Sequence, residues 1–208
     1  MTRVITLRRF VFSGTAALAT LVLAAGCGGG DDMGGMSHGG TVSPSAAATP
    51  AASFNDADVR FAQMMIPHHQ QAVEMATLAG SRASDPQVKQ LAAQVKAAQD
   101  PEINTMTGWL TAWGQSTAAP GGGHDMPGMS SMPGMMSDEE MAKLEATEGA
   151  EFDRMFTRMM IAHHNGAIQM AKDEQQKGAS PEAKALAATI EKTQTEEVTK
   201  LEAILDRM

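Results

Sequence analysis

Apolar residues recur at three- and four-residue intervals through most of the chain after residue 54. Val88, Leu91, Val95, Ile103, Met106 and Leu110 line one face of one stretch, and Leu186, Ile190, Val198, Leu201 and Leu205 line one face of another. That period belongs to amphipathic helices, and no segment alternates with period two over a useful length. The expected fold class is therefore all-α. A first helix is predicted from near Ser53–Asp56 to about Thr77–Gly80, and a second opens with a cap at Ser84 or Asp85 and Pro86 at its first position. Ser137–Glu140, "SDEE", is a capping-box signature. Gly149 is expected to interrupt the helix that follows, Gly178 to end it, and Ser180-Pro181 to open the last one. Pro101 lies inside the second helical pattern, so a kink or break is expected near Asp100.

The pattern repeats. Residues 56–113 superpose on 151–208 at a constant offset of 95 without a gap, with identity at roughly a third of positions. Asp58/Asp153, Phe61/Phe156, Met64/Met159, His68/His163, Met75/Met170, Pro86/Pro181, Gln99/Gln194 and Glu102/Glu197 all coincide. Two copies of a helical hairpin (54–113 and 137–208), joined by a long loop (114–136), predict a four-helix bundle over 54–208. A pseudo-two-fold axis should set the two copies of Met-Met-Ile-x-His-His against each other.

The N-terminus changes the expected location. Arg3, Arg8 and Arg9 precede an apolar run from Phe10 to Ala25, too short for a membrane span, so residues 1–26 read as an export signal. Ala24-Ala25-Gly26 before Cys27 resembles a lipobox, and Cys27, the only cysteine, is the expected lipid attachment point. Residues 27–53, rich in Gly, Ser, Ala and Pro, read as a disordered tether. The mature domain should face the periplasm or extracellular space, held at the membrane by its lipid. With the three arginines removed, the formal charge falls from −8 to about −11. No basic patch appears, which argues against nucleic acid as a partner.

The candidate chemistry lies in the repeated motif. On a wheel of about 100° per residue, Phe61, Met64, Met65, Ala72 and Met75 all fall within about 60° of His68. His69 falls about 100° away, at the edge of the stripe. The second copy centres His163 among Phe156, Met159, Met160, Ala167 and Met170, with His164 at the margin. Buried methionine usually fills space, and a lone buried imidazole usually has a hydrogen-bond partner. Four imidazoles in two symmetric pairs, in a chain with eighteen Met, six Phe and no Tyr, point instead to a metal shared by His68 and His163, while His69 and His164 are open equally to either role. Thioether and neutral imidazole suit Cu(I). Zinc prefers thiolate, imidazole or carboxylate, and no Glu precedes either His pair by three residues as a di-iron bundle requires. The loops add soft donors where no core can form: Met33, Met36 and His38 in the tether, and His124, Met126, Met129, Met132, Met135 and Met136 in the long loop. These read as secondary metal-capture segments.

The motifs "MMIPHHQQAVEMA" and "GAEFDRMFTRMMIAHHNGAIQMA" resemble the "domain of unknown function 305" family over about residues 54–208. The resemblance implies a ferritin-like four-helix fold in an exported bacterial protein. It further implies copper binding and tolerance, with Met and His ligands for Cu(I) at Met64, Met65, His68, His69, Met75, Met159, Met160, His163, His164 and Met170. The expected function is sequestration or relay of Cu(I), with copper ions, the membrane and other copper-handling envelope proteins as partners. The alternatives are a ferritin-like metal-dependent oxidoreductase, for which no catalytic residue is evident, and a metal-free bundle that binds another envelope protein.

Overall fold

The computed structural model describes residues 53–118 and 132–208. The expected export signal, Cys27, Met33, Met36, His38, His124, Met126 and Met129 lie outside these residues. The described residues form five helices and no strand. Four are long: α1 (Asp56–Arg82), α2 (Pro86–Ala112), α4 (Gly149–Lys177) and α5 (Pro181–Leu205). A short α3 (Asp138–Ala146) precedes α4. None of these helices is long and apolar enough to cross a membrane. The interruption expected at Gly149 is real, and it yields α3: α4 starts there with φ +63°, a left-handed conformation that glycine adopts freely.

The helix starts follow from their caps. Asn55 and Asp58 form a capping box at α1, Asp85 caps α2 with Pro86 behind it, Ser137 and Glu140 box α3, and Ser180 caps α5. The break expected at Pro101 does not occur, and α2 runs unbroken through it. A proline removes only one donor from the ladder, leaving the Ala97 carbonyl without its usual partner. Pro101 stands on an exposed face, where water can satisfy that carbonyl. α1 likewise runs through Pro67.

α1 packs along α2, α4 along α5, and the two hairpins meet chiefly through α1 and α4. The apolar core falls into two halves. Ala72, Met75 and Ala79 of α1 meet Val88, Leu91 and Val95 of α2, Phe152, Phe156 and Met160 of α4, and Leu201 and Ile204 of α5. Phe61, Met65 and Ile66 of α1 meet Met106 and Leu110 of α2, Ala167 and Ala171 of α4, and Ala187 and Ile190 of α5. The start of α1 thus meets the end of α4, so the two helices run antiparallel.

Two aspartates tie the hairpins together. Asp58 accepts hydrogen bonds from the amides of Ala179 and Ser180 at the α4–α5 turn, at 3.0 and 2.9 Å. Asp153, its repeat partner, accepts from the amides of Ser84 and Asp85 at the α1–α2 turn, at 3.1 and 2.9 Å, and from the Ser84 hydroxyl. Each hairpin therefore supplies the carboxylate that satisfies the turn of the other.

Candidate metal centre

Between the two apolar halves lies a buried polar layer: His68 and His69 of α1, Gln99 of α2, His163 and His164 of α4, and Gln194 of α5, with Glu102 and Glu197 at its edge. Every member has its counterpart 95 residues away. The His68 and His163 rings face each other across the α1–α4 contact, their centroids 3.8 Å apart and their planes tilted by 39°. The His163 and His164 centroids are 6.3 Å apart. All four imidazoles are 0 % exposed. This corrects the expected marginal position of His69 and His164. Their flank of the stripe is covered by α2 and α5, whose Glu102 and Glu197 reach them.

Hydrogen bonds fix the protons on three of the rings. His69 Nε2 is 2.7 Å from Glu102 Oε2, and His164 Nε2 is 2.8 Å from Glu197 Oε2. His68 Nε2 donates to the Pro133 carbonyl at 3.1 Å. Carbonyls and ionised carboxylates only accept, so in the neutral ring Nε2 carries the hydrogen and Nδ1 keeps its lone pair. Nδ1 of all four rings has no partner, and neither does Nε2 of His163, either amide atom of Gln99 or Oε1 of Gln194. A buried polar group left unpaired costs about 1–3 kcal/mol, so the layer is expensive for a protein with nothing to bind there.

The two stacked rings, His68 and His163, are held neutral. Burial pushes His68 down to about 3, aided by the repulsion that protons on the two adjacent rings, His68 and His69, would exert on each other. Burial first, and then the repulsion a proton would meet from protons on His68, His164 and His69, hold His163 well below the usual imidazole range. Neutral imidazoles with free lone pairs are metal donors. Carboxylate-to-imidazole contacts of the kind made by Glu102 and Glu197 orient a ring and raise its basicity. Neither carboxylate was singled out for the site from the sequence. The signal was present, because Gln99 and Glu102 sit between Val95 and Met106 on the buried stripe of α2 and recur as Gln194 and Glu197.

The methionines divide between the two sides of the layer. Met75 and Met160 are fully buried in one apolar half, with Met159 packed partly exposed beside them. Met65 is fully buried in the other half, and Met170 packs against it. Met64 and Met170 meet as lining of one cavity of about 500 Å³, which also touches Phe61, Pro133 and Glu174. Met64 thus shares its opening with the methionine of the opposite hairpin. Among the described residues, no three His, Cys, Asp or Glu side chains stand together as a ready metal cage. An ion bound at the stacked pair must therefore draw on thioethers or shift the rings.

Part of the long loop is ordered, against the expectation that 114–136 forms no packed structure. Met132 is buried, Met136 packs against the core, and Gln71 pairs with both the amide and carbonyl of Met136 at 2.8 Å. Small residues make this possible, since Gly134 and Gly166 let the loop backbone lie directly on α4.

The profile of the family described as "Domain of unknown function (DUF305)" matches residues 58–205. No curated protein matches the chain. Among solved structures, a DUF305 protein from Streptomyces coelicolor superposes with a TM-score of 0.66 at 32% identity, over 73% of this chain and 93% of that one. A DUF305 fragment from Deinococcus radiodurans gives 0.67 at 32% identity, over 74% and 98%. CopM in its Cu(II)-bound form gives 0.62 at 32% identity, over 72% and 96%, and CopM structures with Cu(I) and with silver also match. With its repeated His-His helices and all-helical bundle, this chain belongs to the DUF305 family.

Proposed function

We propose that the protein is an exported copper-binding protein that sequesters or relays Cu(I). His68 and His163 supply its central nitrogen ligands, and the methionines of the repeated motif supply thioethers. The observation that carries this is the pair of neutral rings 3.8 Å apart in a sealed layer, one of them with no hydrogen-bond partner on either nitrogen. A soft monovalent ion is the partner that such a ring pair with flanking thioethers recognises best. His69 and His164, oriented by carboxylates, stand ready to complete or receive the coordination. Similarity to CopM, described in Cu(I)-, Cu(II)- and silver-bound forms, supports copper as the cargo. The Streptomyces relative, described as a candidate secreted protein, supports a place outside the cytoplasm. Lipid attachment at Cys27 would then hold the domain at the membrane surface, with the Met-rich tether and loop gathering the metal.

The test is an anaerobic titration of the mature protein with Cu(I) against a competing chelator. His68→Ala with His163→Ala is expected to weaken binding about 100-fold or more. Unchanged affinity in a folded double variant would remove the stacked pair from the site.

A further inference from the structure

We infer that residues Met132–Met136 form a latch over the His68–His163 pair, with Gly166 and Gln71 as its catch, and that release of this latch admits a soft cation to the rings. The inference rests on the copper reading only for the identity of the ligand.

The strap touches both rings' helices directly. Its Pro133 carbonyl holds the His68 Nε2 hydrogen at 3.1 Å. Gly134 has φ +77°, and a Cβ there would come within 3.0 Å of the His163 Cα. A Cβ on Gly166 would run into the Pro133 carbonyl and lie 2.9 Å from the Gly134 nitrogen. The contact is therefore backbone on backbone, and no side chain larger than hydrogen fits at either glycine without displacing the strap.

The repeat breaks at this point. Gly166 and Gln71 occupy equivalent positions in the two copies. Gln71 grips the strap through the Met136 amide and carbonyl, while Gly166 makes room for it. One strap over a two-fold layer makes the layer asymmetric: His68 Nε2 is capped, and His163 Nε2 has no partner. Pro133 also lines the cavity that holds Met64 and Met170. Moving it would join those two thioethers to the His68 ring. The polar anchors are the His68 bond and the two Gln71 bonds, so opening the strap breaks these and uncovers Met132 and Met136 while the helical hydrogen bonds stay made.

Two variants test this, Gly166→Ala, which crowds Pro133 out, and Gln71→Ala, which removes the grip without a clash. The first readout needs no metal: deuterium exchange at the ring C–H of each histidine, followed by mass spectrometry in protein shown to be folded by circular dichroism. His68 is expected to exchange about tenfold faster in either variant, while His164, which the strap does not touch, keeps its wild-type rate. The second readout is the association rate of Ag(I), expected to rise in the same variants. Wild-type exchange at His68 in both folded variants would overturn the latch. Faster exchange with no Ag(I) binding by any form of the protein would leave the latch standing and remove the metal reading instead.

Discussion

The pH behaviour of the stacked pair turns on His68 and His163 being neutral before any metal arrives. An ordinary imidazole, with a pKa near 6.5, must lose a proton to bind metal at pH 5, which weakens affinity by about 30-fold per ring relative to pH 8. His68 is already held down to about 3 and His163 well below its usual range, both chiefly by burial. Neither ring has a proton to release over that window. Cu(I) or Ag(I) affinity is therefore expected to stay within about threefold between pH 5 and 8, measured against a chelator whose own pH dependence is known. A loss of about 30-fold or more at the acid end would mean that the rings ionise in the fold. The carboxylates matter differently. Glu102→Gln with Glu197→Gln replaces two acceptors by amides that can present a hydrogen, removing the restraint that keeps the lone pair on Nδ1 of His69 and His164. Affinity is expected to fall about 10-fold or more, as for other outer-shell partners of metal-bound histidine. If the double variant binds as wild type does, His69 and His164 take no part in coordination.

At the level of the helices, the exchange of aspartates between hairpins gives a direct test of how the repeat is stitched. Asp58→Ala and Asp153→Ala each strand amides at the opposite turn. Each is expected to cost about 1–3 kcal/mol in urea unfolding. The two sites lie at opposite ends of the antiparallel α1–α4 pair, so the double variant should show the sum to within about 0.5 kcal/mol. Both residues were legible in the sequence as repeated positions, but their partners were not, because turn amides leave no mark on a hydrophobic pattern. The helices themselves were readable from period and caps: Asp85, Ser137 and Ser180 stand where the chain chemistry places them, and the Asn55 cap falls within the expected Ser53–Asp56 start. The facing of His68 and His163 followed from the repeat alone. The burial of His69 and His164 did not, since a wheel drawn for one helix cannot show that α2 and α5 bring Glu102 and Glu197 to its flank. The ordering of Met132–Met136 was equally hidden. A Met-Pro-Gly-Met run has the composition of a coil, and it packs only because Gly166 breaks the repeat in a helix far along the chain. Pro101 misled for a third reason: one missing donor on a solvent-facing turn is too small a penalty to stop a helix held by its buried face.

Across the whole molecule, the metal-free protein carries two opposed titrations whose balance sets a stability optimum. His68 and His163 have folded values below the ordinary 6.5, so below that pH the unfolded chain takes up protons that the fold refuses. Their contribution is complete above about pH 6.5 and is lost as pH falls toward 3. Glu174 works the other way. It is 2 % exposed and no donor reaches its oxygens. Burial first, and then the neighbouring Asp58 carboxylate with its charge, raise it from 4.5 to about 8. Burial alone would raise Asp58 too, but the neighbouring Glu174 carboxyl and hydrogen bonds from the amides of Asn55, Ala179 and Ser180 keep it below 3.8. The pair thus holds one proton, on Glu174. Between pH 4.5 and 8 the unfolded chain releases that proton and the fold keeps it, so stability falls as pH rises. From 4.5 to 6.5 two imidazoles oppose one carboxyl, and stability rises; above 6.5 only the carboxyl remains, and stability declines to about 8. The maximum is expected near pH 6.5 in urea unfolding of the metal-free protein across that range. Glu174→Gln keeps the size and shape of the side chain but has no proton to lose, so its curve should be level above pH 6.5. Parallel curves for the variant and wild type from pH 6.5 to 8 would place the alkaline decline elsewhere in the molecule.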